Sequence, residues 1–130
     1  MTPKNVQTWL DAYVAAWRSY TPDAIGELFS EDASYAYHPY DDPLVGRAAI
    51  VESWRDDPDP PDSWDAAYRP LLVQGERAIA TGETRYADGD VYANLWELEF
   101  DTGGRCTKFV EWFMKHPPAA EPRAAPPASP

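Results

Sequence analysis

Two glutamates and a histidine are the side chains of this sequence best suited to proton transfer. Glu83 and Glu111 lie in segments rich in aromatic residues, and a carboxyl group half-buried among aromatic rings can act as an acid or a base near neutrality. His38 precedes a proline-containing loop in which Asp41 or Asp42 could orient its ring, and a neutral imidazole is a good general base. These three residues are the candidates for acid–base catalysis, and the alternative for His38 is a rim histidine bonded to backbone or water.

The predicted turns place both glutamates on one face of a sheet. Asp88-Gly89 and Thr102-Gly103 are interpreted as two-residue loops, which pairs Glu83 with Asn94 and Asn94 with Glu111. Because neighbouring strands are ~4.8 Å apart, the two carboxylates would lie roughly 10 Å apart at the backbone. The sequence thus predicts a row of two carboxylates with an amide between them.

Arg85 follows Glu83 by two residues and belongs to the same predicted face. An arginine there would hold one carboxylate ionised while the other stays tunable. The alternative is an ordinary ion pair between Glu83 and Arg85 at the rim, with Asn94 merely satisfying Glu111. A register shift of one residue would move the row to the outer face.

Three helices and a set of strands must position these residues. Strand character covers residues 64–74, 77–87, 90–101 and 105–115, and the short turns between these runs predict an antiparallel meander. A shorter strand is predicted at 33–38, and helices at 5–20, from Thr21-Pro22 onward, and at 46–54. Helices followed by a curled antiparallel sheet are typical of the α+β class, and helices on one face of a bent sheet leave a cone with an open end.

Length and composition predict one domain followed by a tail. The 130 residues suit a single core, which we assign to residues 1–116. Residues 117–130 contain six prolines and five alanines, a composition that cannot build a core, and we predict that they are disordered.

Charge and motif content narrow the classes of partner. The net charge of −11 argues against binding to nucleic acids or to anionic membranes. Cys106 is the single cysteine, so no intrachain disulfide can form, and no apolar segment resembles a signal peptide or a membrane span. We therefore expect a cytoplasmic protein. No HExxH, CxxC or phosphate-binding glycine loop is present, so no metal or other cofactor is predicted.

Four short motifs carry a resemblance to a known family. They are Leu28-Phe29-Ser30-Glu31-Asp32-Ala33, Gly46-Arg47-Ala48-Ala49-Ile50 with Trp54, Phe100-Asp101-Thr102-Gly103-Gly104-Arg105, and Glu111-Trp112-Phe113. Together they resemble the nuclear transport factor 2-like superfamily, and within it the SnoaL-like domains, which are related to ketosteroid isomerase, scytalone dehydratase and polyketide cyclases. The resemblance covers residues 5–115 and implies a cone-shaped barrel of a curled antiparallel sheet with three N-terminal helices on its concave face. Tyr37-His38-Pro39-Tyr40-Asp41 is similar to an uncharacterised bacterial subgroup.

The resemblance to ketosteroid isomerase covers its catalytic residues only in part. The oxyanion-hole tyrosine of that family matches Tyr13, whereas its catalytic-base aspartate falls at Tyr37, beside His38, and its protonated aspartate falls at Trp96. One of three roles is retained, so we do not predict steroid isomerisation. The match of Trp96 implies that its face of the sheet lines a pocket. The residues expected to bind substrate there are Tyr13, Trp17, Tyr37, Trp54, Arg85, Tyr92, Asn94, Trp96, Phe109 and Phe113.

Two classes of function fit these features. The first is a cofactor-independent isomerase, cyclase or dehydratase that acts on a small apolar, oxygenated substrate of polyketide-like or steroid-like kind. A variant is epoxide hydrolysis, because that branch of the superfamily uses two carboxylates bridged by an arginine, as Glu83, Arg85 and Glu111 would be. The second class is a non-catalytic ligand-binding or dimerisation domain, since a fold does not imply chemistry.

The opposite face of the sheet predicts a homodimer. Its residues are predicted to be Gly82, Thr84, Ala93, Leu95, Val110 and Trp112. Soluble monomers rarely keep a large apolar patch exposed, and many members of the superfamily pair through this surface.

Overall fold

The computed structural model describes residues 1–117 and confirms the predicted α+β class. Its elements are α1 (Pro3–Ser19), α2 (Pro22–Leu28), β1 (Phe29–Ala36), β2 (Leu44–Val45), α3 (Arg47–Asp56), β3 (Trp64–Gln74), β4 (Arg77–Tyr86), β5 (Val91–Phe100) and β6 (Cys106–Lys115). All but the first residue of the tail predicted at 117–130 lie outside the described residues.

The strands form one six-stranded sheet in the order β2-β1-β6-β5-β4-β3. The meander from β3 to β6 is antiparallel, but β1 joins it parallel to β6, with Tyr35 opposite Phe109. The sheet is therefore mixed rather than wholly antiparallel. The chain returns from β1 to β6 through α3 and the meander, a long connection of the kind that parallel neighbours require. Because β2 and β3 are edges, the sheet is not closed into a barrel.

Helix α1 begins at a capping box and packs against β3. Thr2 Oγ1 accepts a hydrogen bond from the Asn5 N–H at 3.1 Å, and the Asn5 side chain accepts one from the Thr2 N–H at 3.2 Å. These bonds satisfy amide groups that a helix start otherwise leaves free. Its apolar face buries Trp9 and Tyr13. None of the helices within residues 1–117 is long and apolar enough to cross a membrane.

Aromatic rings fill the space between the helices and the sheet. Phe109 is fully buried, and the rings of Tyr13 and Tyr35 stack against it at centroid distances of 5.7 and 4.3 Å. Trp96 is 1% exposed and lies 5.1 Å from Phe109. Burial of each large apolar side chain contributes roughly 1.5–3 kcal/mol, so this cluster contributes strongly to the stability of the domain.

The loop between β4 and β5 has three residues, where the sequence predicted two. The Tyr86 N–H donates to the Asp90 carbonyl at 2.8 Å, which leaves residues 87–89 as the loop, with Gly89 at a φ of 100°. The Ala87 N–H bonds to the carbonyl of Ser63, next to the start of β3, instead of continuing the β4–β5 ladder. A three-residue loop with a glycine at positive φ is a standard hairpin connection.

The extra loop residue shifts β4 by one position and reverses its faces. Gly82, rather than Glu83, lies opposite Asn94, and a shift of one residue turns every side chain of a strand to the other side. Glu83 and Arg85 therefore lie on the outer face. Gly82 and Thr84, which were predicted on the outer face, lie on the concave face, where Thr84 is 3% exposed.

Two irregularities between β5 and β6 leave the predicted faces unchanged. The connecting loop is one residue longer than predicted, and the pairing shifts again between Glu99 and Phe100. Together they displace the register by two residues, so that Trp96 lies opposite Glu111 rather than Phe109. Because an even shift preserves side-chain direction, Glu111 shares the concave face with Trp96.

Candidate functional site

An open cavity of about 570 Å³ lies between the helices and the concave face of the sheet. Its size suits a small organic molecule. Most residues of the cavity wall are aromatic. The inner part of the wall also carries polar side chains, and four aspartates belong to the lining. The lining residues are Tyr13, Trp17, Tyr20, Tyr35, Tyr37, Ser53, Trp54, Asp57, Asp59, Tyr68, Thr84, Tyr86, Asp88, Asp90, Tyr92, Asn94, Trp96, Glu111 and Phe113. Eight of the ten predicted substrate-binding residues are among them; the other two are Phe109, beneath the wall, and Arg85, on the outer face.

Glu111 is the carboxylate of the inner wall, and its two oxygens have different surroundings. Oε2 accepts hydrogen bonds from Trp96 Nε1 at 2.9 Å and from Asn94 Nδ2 at 3.1 Å. No side chain among residues 1–117 donates to Oε1. Burial raises the pKa of the Glu111 carboxyl group, while the bonds from Trp96 and Asn94 and the charge of protonated His38 lower it. The carboxylate is therefore fixed through one oxygen and free to act through the other.

Behind Glu111, a chain of hydrogen bonds crosses the sheet from strand to strand. Thr84 Oγ1 donates to Asn94 Oδ1 at 2.9 Å, and the hydroxyl groups of Tyr68 and Thr84 are bonded at 2.5 Å. Tyr68, Thr84 and Asn94 are each less than 9% exposed. Buried polar groups of this kind are costly unless they are bonded, and here each one is.

Two tyrosine hydroxyl groups form a second polar feature of the cavity. The hydroxyl groups of Tyr13 and Tyr35 are hydrogen-bonded at 3.1 Å, and both rings stack against Phe109. Burial is the largest cause that raises both tyrosine pKa values well above the ordinary one, and the nearby charge of Glu111 adds to it. Both hydroxyls therefore stay protonated. The bond between them uses one of the two hydroxyl protons. The other hydroxyl proton has no acceptor among the described residues.

The mouth of the cavity carries negative charge. Asp57 and Asp88 are exposed, and Asp59 and Asp90 are partly buried. The loop at 57–62 is tied to the first helix, because Asp59 Oδ2 accepts hydrogen bonds from Trp17 Nε1 at 3.0 Å and from the Tyr20 hydroxyl at 3.5 Å. Within residues 1–117 no three histidine, cysteine, aspartate or glutamate side chains converge as a metal site.

His38 lies at the rim, outside the cavity wall. Its Nδ1 is 2.8 Å from Asp41 Oδ2, so Asp41, of the two aspartates considered, orients the ring. The imidazole stacks on Tyr40 and lies 5.1 Å from the ring of Phe113, which lines the cavity. His38 thus has the rim position of the alternative, but its partner is the Asp41 carboxylate rather than backbone or water, and the ring is an electrostatic neighbour of Glu111.

The predicted row of two carboxylates and an arginine is not formed. Glu83 and Arg85 make an ion pair of 2.9 Å on the outer face, where both side chains are substantially exposed, and His116 lies 3.7 Å from Glu83. The prediction was wrong because the loop after β4 is one residue longer than assumed. Glu83 and Arg85 therefore take no part in the cavity, and the two-carboxylate arrangement of epoxide hydrolysis is absent from it.

Three buried residues of the site were not identified from the sequence. Tyr35 lies on a strand that was predicted, but its alternation did not separate cavity from core. No motif or residue next to Tyr68 in the sequence marked it as part of a site, and Thr84 was assigned to the wrong face of the sheet. The usable signal was compositional, because asparagine is depleted in strands, and Asn94 within a hydrophobic strand therefore marks a buried polar partner.

Comparison with known proteins agrees with this architecture. Residues 10–116 match the family model of the SnoaL-like domain. A nuclear transport factor 2-like protein of unknown function from Burkholderia xenovorans superposes with a TM-score of 0.68 at 20% identity, covering 95% of this chain and 88% of that one. A proposed ketosteroid isomerase from Kribbella flavida gives 0.67 at 18% identity, covering 95% and 85%. No curated protein has a significantly similar sequence.

Proposed function

Because the chain belongs to the SnoaL-like domain family, we propose that it is a cofactor-independent acid–base enzyme: an isomerase, cyclase or dehydratase. The observation that supports this most strongly is Glu111, with Oε2 held by two donors and Oε1 free at the cavity. A fixed carboxylate whose pKa is raised by burial can accept and return a proton near neutral pH.

The proposed reaction begins with proton transfer to Glu111 Oε1 from a carbon next to a substrate carbonyl group. The electron pair of the broken C–H bond moves to the carbonyl oxygen, and the Tyr13–Tyr35 pair donates a hydrogen bond to the resulting enolate. Protonated Glu111 then returns its proton. Return to another carbon gives isomerisation, and return to a hydroxyl group that leaves as water gives dehydration. In a cyclisation the enolate carbon attacks a second carbonyl group, and the proton goes to the new alkoxide.

The cavity favours a neutral or cationic substrate that is mostly apolar. Its described lining contains no lysine, arginine or histidine, whereas four aspartates lie around the mouth. An anionic substrate would meet repulsion there. Aromatic walls with a few polar groups suit an oxygenated ring system of polyketide-like or steroid-like kind.

Turnover of a substrate panel tests this proposal. The panel contains β,γ-unsaturated ketones, β-hydroxyketones and linear diketones, assayed with the wild type, Glu111→Gln and Glu83→Gln. We expect Glu111→Gln to lower the rate by roughly 100-fold or more, the usual contribution of a general acid or base. Glu83→Gln is the matched control on the outer face and should leave the rate unchanged. Equal rates for the wild type and Glu111→Gln would refute the proposal.

A second candidate function is ligand binding without chemistry. The position of His38 outside the cavity favours it, because among the described residues Glu111 then has no histidine and no second carboxylate beside it in the inner wall. Under this alternative, ligands of the panel bind the wild type and Glu111→Gln with similar affinity and are recovered unchanged.

A further inference from the structure

The hydrogen-bond chain behind Glu111 has a defined direction. Thr84 has one hydroxyl proton, and it is donated to Asn94 Oδ1. The bond between Thr84 and Tyr68 must therefore use the Tyr68 proton, with Tyr68 as the donor. Asn94 Nδ2 donates in turn to Glu111 Oε2. Each bond thus points the same way, from Tyr68 on β3, through β4 and β5, to Glu111 on β6.

Gly82 enables Tyr68 to reach this chain. Gly82 pairs with Tyr68 across the strands, and Thr84 follows two residues later on the same face. A Cβ atom at position 82 would lie 2.6 Å from Tyr68 Cδ1 and 2.1 Å from the carbonyl oxygen of Ala67. The Tyr68 ring therefore occupies space that only glycine leaves open, and it packs against Trp96 at 4.3 Å. Gly82 thereby fixes the position of Tyr68, the first donor of the hydrogen-bond chain, independently of the hydrogen bonds themselves.

We propose that Tyr68 and Thr84 are positioning residues for Glu111, and that they act through the side-chain amide of Asn94. Thr84 holds Asn94 with its carbonyl oxygen turned away from Glu111 and its NH₂ group turned towards it. This orientation places a donor on Oε2 and keeps Oε1 free for a ligand. The inference rests on the proposed function only for its catalytic consequence, because the positioning can be measured without a substrate.

Several tyrosines and a histidine also face Glu111 and influence its titration. They are Tyr13 from α1, Tyr35 from β1, Tyr37 and His38 from the segment after β1, Tyr68 from β3 and Tyr86 from β4. A donor chain ending on a carboxylate favours its charged form. Loss of the chain should therefore raise the pKa of Glu111, whereas loss of a tyrosine hydroxyl outside the chain should not.

The test is a side-chain carboxyl titration by NMR of protein labelled with ¹³C at glutamate Cδ. The Glu111 resonance is identified by its loss in Glu111→Gln. We expect Thr84→Val to raise the Glu111 pKa by about one unit and Tyr68→Phe by about half a unit, in line with removal of donors from a carboxylate. Thr84→Ser keeps the hydroxyl group and should restore the wild-type value.

Tyr86→Phe is the matched control for Tyr68→Phe. Tyr86 also lines the cavity and senses Glu111, but its hydroxyl makes no hydrogen bond within the described residues. The inference is overturned if Thr84→Val and Tyr68→Phe leave the Glu111 titration within about 0.2 unit of the wild type, or if Tyr86→Phe shifts it equally. Loss of turnover in Glu111→Gln together with an unmoved titration in Thr84→Val would refute the inference and retain the proposed function.

Discussion

Replacement of Trp96 tests whether aromatic packing on the concave face of the sheet stabilises the domain. The side chain is 1% exposed and packs against Tyr13, Tyr68 and Phe109 at centroid distances of 4.6, 4.3 and 5.1 Å. Trp96→Ala removes the indole ring from this cluster, and truncation of a buried tryptophan typically costs about 3–5 kcal/mol. It also removes the 2.9 Å hydrogen bond to Glu111. We therefore expect a loss of about 3–5 kcal/mol in the free energy of unfolding.

A graded pair of variants separates packing from hydrogen bonding at this position. Trp96→Phe retains an aromatic ring and deletes the donor, so we expect an intermediate loss of about 1–3 kcal/mol. Tyr40→Ala, at a side chain that is 81% exposed, is the control and should cost about 0.5 kcal/mol or less. Urea unfolding at pH 7 with unchanged m-values measures all three. Near-wild-type stability of Trp96→Ala would show that the account of the concave face is wrong.

The remaining predictions concern pH, assembly, ligand charge and the tail. Burial raises the Glu111 pKa, so just above the ordinary glutamate pKa the folded chain binds more protons than the unfolded chain. The free energy of unfolding should therefore fall as pH rises through that window. Glu111→Gln should flatten this fall in a pH series of urea unfolding, and equal slopes for the wild type and the variant would contradict the burial argument. Leu95 lies opposite Trp112 on the outer face, beside exposed Met114, and we predict that this apolar surface forms a homodimer. Light scattering should show a dimer for the wild type and a monomer for Leu95→Glu; a stable wild-type monomer would exclude the prediction. Asp59→Asn should improve the binding of anionic ligands relative to neutral ones, measured by calorimetry, and an unchanged ratio would show that the mouth charge does not select. Removal of residues 117–130 should leave Tm within a few degrees by differential scanning calorimetry, and a large drop would show that the tail supports the domain.

The sequence predicted the fold well because its signals were redundant. Helical spacing of Trp9, Tyr13 and Trp17, the turn residues between the strands, and the family motifs all favoured the same α+β arrangement. The parallel pairing of β1 with β6 was missed because it joins segments far apart in the chain. No local pattern specifies such a partner.

The two candidate carboxylates show how much the site prediction depended on strand register. Glu111 kept its face because the β5–β6 register moved by two residues, whereas Glu83 lost its face because the β4–β5 register moved by one. In the longer β4–β5 loop the Ala87 N–H bonds to the Ser63 carbonyl, a partner outside the hairpin. A change of one residue in the length of a hairpin loop thus reverses the side-chain directions of a strand, and turn composition alone does not fix that length.

Deuterium exchange at a bound ketone is the most direct test of Glu111 as the proton-transferring group. A ketone that quenches tryptophan fluorescence on binding is incubated in D₂O at neutral pH, and deuterium uptake next to its carbonyl group is followed by mass spectrometry. The account predicts uptake with the wild type and with Glu83→Gln, and uptake roughly 100-fold slower with Glu111→Gln. Equal uptake with the wild type and Glu111→Gln, for a ketone shown to bind both, would contradict it.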